Sequence, residues 1–186
     1  MQLPSEFPSN VGFESIKAAQ ASASFISREG GKIEKIKLIK RLYLSERSAI
    51  AQKNRPIFYD EYWSLKHGPV CSDCLNSINR PSQYKWLKYL TEPLNEKTAT
   101  LAADHPEFDH LSAFDLRIIE GVWGEFGGMT ASQLRNWTHS NCPEYTEIEK
   151  GRVEIKIGTL AKAVGADPEI LKANIKKHRS FALAIG

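Results

Sequence analysis

Cysteine is scarce: three in 186 residues. An odd number leaves at least one thiol without an intrachain partner, which fits a reducing compartment better than an exported disulfide scaffold. Long apolar runs are missing, so no membrane-spanning helix is expected. Met1-Gln2-Leu3-Pro4-Ser5-Glu6 lacks the basic start and apolar stretch of a secretion signal. The expectation is a cytoplasmic chain with no membrane contact. A large charge of one sign is missing too, since 25 Lys+Arg against 22 Asp+Glu leave +3. Dedicated nucleic-acid binders carry a larger, clustered excess, so charge neither demands nor excludes such a partner. There is no internal repeat and no low-complexity tract.

Reactive groupings are equally sparse. No Gly-x-Ser-x-Gly elbow and no phosphate-cradling glycine loop occur, and Gly127-Gly128 reads as a helix end. His67, His105, His110, His139 and His178 are scattered. Only His105, Asp109 and His110 come close in sequence, in a turn beside Pro106. Cys71-x-x-Cys74 has redox spacing, but no parallel βαβ frame surrounds it. A zinc site would need a second Cys/His pair, and His139 and Cys142 stand alone downstream. The reading is two small residues at a helix, one facing the core. No catalytic residue, metal or cofactor is expected.

What is present is enough apolar material for a core: 41% hydrophobic residues, with 8 Phe, 6 Tyr and 4 Trp. Pro4, Pro8 and Gly12 make residues 1–12 an irregular lead-in. Ile16, Ala19, Ala23 and Ile26 fall at helical spacing before Gly30-Gly31. A second helix is expected over about 33–52, with Ile36, Ile39, Leu42, Tyr43 and Ile50 as its apolar stripe. Lys37, Lys40 and Arg41 read as its solvated face. Asn54-Arg55-Pro56 breaks the chain before the aromatic run Phe58, Tyr59, Tyr62, Trp63, and a helix starts near Cys71-Ser72-Asp73. Alternation in 98–101 points to a small antiparallel pair within 84–103, turning near Asn95-Glu96. Ser112 caps a helix with Leu116, Ile119, Val122, Trp123 and Phe126 as core stripe. Thr130 caps a short one, 131–137. Two short helices flank Gly165-Ala166-Asp167-Pro168 between 157 and 178. The fold class is mainly α with a small antiparallel β element.

From Ile36-Lys37-Leu38-Ile39-Lys40-Arg41-Leu42-Tyr43-Leu44-Ser45-Glu46-Arg47 the chain resembles the Panacea domain of SocA-like antitoxins. The resemblance continues through Arg55-Pro56-Ile57 and Asp60-Glu61-Tyr62-Trp63-Ser64-Leu65-Lys66. It is most specific at His67-Gly68-Pro69-Val70 and runs on through Leu111-Ser112, Phe126-Gly127 and Leu134-Arg135-Asn136-Trp137-Thr138-His139. It covers about residues 12–145. Cys71, Ser72, Asp73 and Cys74 depart from the family's usual continuation of the turn. The resemblance implies a compact helical domain over 12–147, followed by a helical tail over 148–186. It implies no catalysis. It implies a cognate toxin protein, held by direct contact.

Aromatic anchors bury large area at little rotamer cost. The candidate partner-binding residues are therefore Tyr43, Tyr59, Tyr62, Trp63 and the His67, Gly68, Pro69, Val70 turn, with His67 orienting the turn. Two other readings compete. One is a DNA-binding regulator using the C-terminal helix pair, with Lys172, Lys176, Lys177, His178 and Arg179 as its basic residues. The other is a thiol redox enzyme built on Cys71 and Cys74. Oligomeric state is not legible.

Overall fold

A computed structural model describes residues 11–185. Most of the irregular lead-in therefore lies outside the described residues. The elements run α1 (Ser15–Arg28), β1 (Lys32–Glu34), α2 (Lys35–Lys53), β2 (Tyr62–Leu65), β3 (Gly68–Cys71), α3 (Ser72–Asn79), β4 (Thr98–Thr100), α4 (Ala113–Phe126), α5 (Ala131–Asn141), β5 (Val153–Glu154), α6 (Ile157–Ala163) and α7 (Pro168–Ile185). This is the mainly helical architecture with small antiparallel sheets that the composition and patterning imply.

α2 is the axis. It packs against α1, α3, α4, α5, α6, β1 and β3. The sequence permits this because Leu38 and Leu44 add apolar side chains beyond the stripe of Ile36, Ile39, Leu42, Tyr43 and Ile50, so apolar residues surround much of the helix. α1 approaches it on the small side chains Ala18, Ala19, Ala21 and Ala23, all buried. The solvated face expected for α2 is corrected here: Lys40 is 2% exposed and Arg41 is fully buried. Residues 40–46 of the helix are all buried, so its middle turns have no solvent face to give these two cations.

Two small sheets frame this core. In one, β1 pairs antiparallel with β4, burying Ile33 opposite Ala99. The pair expected within 84–103 is present in reduced form, as the antiparallel Leu90–Leu101 bridge about a turn near Asn95. β4 alternates as expected, but its strand partner is 32–34, so the first residues expected in the second helix, Ile33 and Glu34, belong to a strand. Tyr89, Leu90 and Thr91 pair with Ala102, Leu101 and Thr100 through that bridge, the Ala102 amide donating to the Tyr89 carbonyl and the Thr91 amide to the Thr100 carbonyl. Asn95 does turn the chain, its side-chain oxygen accepting from the Lys97 and Thr98 amides. The second sheet has the order β3-β2-β5, all antiparallel. Pro69 sits in β3, an edge strand, where its missing N–H leaves no ladder bond unmade.

Capping follows the sequence. Ser112 with Asp115 and Thr130 with Gln133 form reciprocal capping boxes at α4 and α5. Leu116, expected in the core of α4, is 40% exposed, while Phe114 and Ile118 are buried. α5 runs four residues past Trp137, and α7 extends to Ile185 and is not a short helix.

Beyond α5, β5 joins β2, and Leu160, Ala161 and Leu171 belong to the same buried cluster as α2. Asn54, in the left-handed region at φ 50, accepts on its side chain from the Asp167 amide and on its carbonyl from the Asn174 side chain. The His178 ring stacks on Tyr59 with centroids 3.6 Å apart.

Candidate functional site

β2 and β3 form a hairpin with Leu65 opposite Gly68, so Lys66 and His67 are its two-residue tip. Side chains alternate along β2: Tyr62 and Ser64 are buried, Trp63 and Leu65 half-buried. The hairpin is tied to its surroundings at many points. Lys40 Nζ donates to the Pro69 carbonyl at 2.8 Å. The Tyr145 hydroxyl donates to the Leu65 carbonyl, and the Thr146 amide to the Ser64 hydroxyl. Backbone amides of Ser72 and Ile155 reach the carbonyls of Glu61 and Tyr62. At Gly68, φ is +101° and a Cβ would stand 2.8 Å from Lys40 Nζ and 3.1 Å from Thr138 Oγ1. Only glycine fits that position.

Beside this hairpin opens a groove of about 320 Å³. Its walls are Ile36, Ile39 and Lys40 from α2, Leu65, Lys66, His67, Gly68 and Val70 from the hairpin, Leu75 from α3, and Gly151. The apolar groups dominate, and the cations Lys40 and Lys66 are interspersed among them. Lys40 accepts no help from a carboxylate: among the described residues its ammonium has one hydrogen-bond partner, the Pro69 carbonyl. Burial pulls its pKa down to about 7, a drop the nearby Arg135 adds to and Cys142 and Cys71 oppose.

The structure splits the residues singled out from the sequence. His67, Gly68 and Val70 line the groove, and Pro69 supplies the carbonyl that Lys40 binds. The His67 ring is exposed at the tip and has no hydrogen-bond partner among the described residues. Trp63 pairs with Val70 across the hairpin, and the Arg152 guanidinium lies over its ring, 4.2 Å from the centroid. Its indole N–H is buried and lacks an acceptor among the described residues. Tyr43 and Tyr62 are interior, 0% and 3% exposed. Tyr43 donates to Glu144, and Tyr62 to Glu46. Glu46 also accepts from the Ile57 and Phe58 amides, yet burial outweighs these bonds and lifts its carboxyl to about 7. Tyr59, at φ 54, lies under α7 and does not line the groove.

Lys40 and Glu46 escaped the reading of the sequence. Each looks like an ordinary surface charge on a helix. The signal that places them inside is the pair of further apolar residues, Leu38 and Leu44, beyond the stripe, which marks α2 as a central helix.

Cys71, Cys74 and Asp60 come together, their ligand atoms within 4.8 Å and all three residues buried. Both cysteines face inward, and Cys71 ends β3, where one core-facing residue on a helix was expected. The donor set fits a metal poorly. The Asp60 carboxylate accepts the amides of Glu61, Asp73 and Cys74, holding the start of α3. Burial pushes the Cys71 thiol up to about 12 and raises Cys74 well above its ordinary value. High thiol pKa values oppose thiol redox chemistry.

The family model for "Antitoxin SocA-like, Panacea domain" matches residues 38–144. The chain belongs to that family. No curated protein and no solved structure gives a significant match. In this Panacea domain the matched span holds most of α2, the whole β2–β3 hairpin and the helices α3, α4 and α5. The groove therefore lies inside the family's span except for Ile36 and Gly151. Family membership makes the chain an antitoxin-family protein, for which a toxin is the partner. Among the described residues, no helix is long and apolar enough to cross a membrane.

Proposed function

We propose that this chain neutralises a cognate protein toxin by direct contact, without catalysis, and that the groove between α2 and the hairpin is the centre of that contact. Residues 12–147 form the toxin-holding body, and 148–186 form an accessory region around β5, α6 and α7. The observation that carries the proposal is an open apolar groove bordered by a turn that cannot move easily. Such preorganisation lowers the entropy lost on binding. Trp63, His67 and Val70 make the contact or border it. Gly68 and Pro69 set the shape of the turn, Tyr43 and Tyr62 hold the hairpin from within, and Tyr59 anchors α7. A stable complex of this kind buries about 1,200–2,000 Å² in total, so the groove is its heart and not its full extent.

The test is co-expression with the product of the adjacent gene. Leu65→Arg places a charge in the groove from a half-exposed position. Its expected phenotype is a folded protein, by circular dichroism, that fails to rescue growth. Full rescue by this variant removes the groove from the proposal.

A second reading, nucleic-acid contact through α6 and α7, has in its favour the exposed Lys162, Lys172 and Lys177. Phosphate contacts release counterions, so it requires a gel shift that weakens steeply with salt.

A further inference from the structure

The chemistry of the groove specifies what fills it. Its apolar wall (Ile36, Ile39, Leu65, Val70 and Leu75) requires a large apolar side chain. Its ionisable lining groups are Lys40, Lys66 and His67, with no carboxylate among the lining residues. Lys66 is mostly exposed and reaches Glu149 at 3.3 Å, a loose surface pair. Lys40 is different. It is buried, and an ammonium has three donors, of which the structure pairs one, with a neutral carbonyl. A buried cation without a counter-charge is costly.

We infer that the occupant is a partner segment in which a large apolar side chain neighbours a carboxylate, and that Lys40 receives this carboxylate. The inference rests on the groove reading above and adds the identity of the occupant. The groups facing Lys40 offer no competing anion. α5 presents Thr138, His139 and Arg135, β3 presents the protonated Cys71 thiol, and Cys142 follows α5. None is a carboxylate. Arrival of an anion restores the ammonium, so binding at about pH 8 takes up a proton at this lysine.

The experiment uses the purified full chain and a phage-displayed library of random peptides as probe. Peptides eluted from the wild-type chain are expected to place Asp or Glu within two positions of a large apolar residue. Changing that acid to its amide is expected to weaken binding by about tenfold or more, the worth of a charge-assisted hydrogen bond. In Lys40→Met, which keeps the chain length of the side chain, the acid and amide peptides should bind alike. Equal binding of both forms to the wild type overturns the inference, as does a full acid preference surviving in Lys40→Met. Should Lys40→Met fail to fold, calorimetry on the wild type decides: at about pH 8, heats in two buffers of different ionisation enthalpy must reveal proton uptake for the acidic peptide. No uptake overturns it. Failure of the groove itself has a different signature: no enrichment at all, or peptides that bind Leu65→Arg as tightly as the wild type.

Discussion

The Lys40 ammonium stands 2.8 Å from the Pro69 carbonyl oxygen, and the same nitrogen stands 2.8 Å from where a Cβ on Gly68 would be. One buried cation thus both holds the turn and forbids a side chain at its second residue. The positive φ at Gly68 adds backbone strain to any substitution.

Gly68→Ala is therefore expected to destabilise the fold by about 2–4 kcal/mol, measured by urea unfolding. Gly124→Ala is the control. Gly124 lies in α4, and a Cβ there meets nothing within 4 Å, so helix propensity predicts a gain of up to about 1 kcal/mol. A Gly68→Ala midpoint equal to the wild type would show that the turn is not pinned.

Stability should pass through a minimum near neutral pH. Burial raises the Glu46 carboxyl from 4.5 to about 7. The native state then holds a proton that the unfolded state has released, so stability falls as pH rises from about 4.5 to about 7. Lys40 works in the other direction. Burial lowers it from 10.5 to about 7. Above about 7 the unfolded chain still binds the proton, so stability climbs until about pH 9, where the buried thiols, raised from 9.0, begin to pull it down again. Thermal melts across this range in one buffer system check both limbs. Glu46→Gln should make the acidic limb shallower, the remainder belonging to Asp60 and Asp73, which burial raises to about 6 and about 7, and Lys40→Met should flatten the alkaline limb.

The sequence makes some of this legible and hides the rest for a physical reason. Caps are local: Ser112 with Asp115 and Thr130 with Gln133 are visible from spacing alone. The turn at His67–Val70 is local as well. What failed is non-local. Ile33 pairs with Ala99 across 66 positions of chain, and no periodicity in either segment names the other. The burial of Lys40, Arg41 and Glu46 likewise depends on how many elements crowd α2. Tyr59 was read with Tyr62 and Trp63 as one aromatic run. The strand alternation and the left-handed backbone at Tyr59 send the three rings to three different places.

The thiols should be quiet. All three cysteines are buried and free, and burial lifts both Cys71 and Cys142 to about 12. At about pH 8 the native protein is expected to react only slowly with an aromatic disulfide reagent, and to release its full thiol count at once in denaturant. Rapid reaction of two thiols in the native state would reopen the redox reading. Cys71→Ser with Cys74→Ser should retain growth rescue, since the contact proposed here uses neither sulfur.

Trp63 and Tyr62 are neighbours in β2 that face opposite ways, which separates contact from support. Trp63→Ala removes a half-buried ring capped by Arg152, so the core stays intact while the face of β2 that also carries Leu65 loses a large apolar surface. The expected variant folds normally but fails to protect cells from the toxin. Tyr62→Phe does the reverse. It removes the hydroxyl that donates to the buried Glu46 carboxylate, costing about 1–2 kcal/mol of stability, and it leaves the outward face unchanged. Growth rescue should persist at temperatures where the variant is folded. Comparing the two by unfolding midpoint and by rescue tests the assignment directly. A Trp63→Ala protein that protects fully would move the contact off this face of the hairpin, whereas a stable Tyr62→Phe protein that fails to protect would mean that the partner senses the interior hydrogen bond and not the surface.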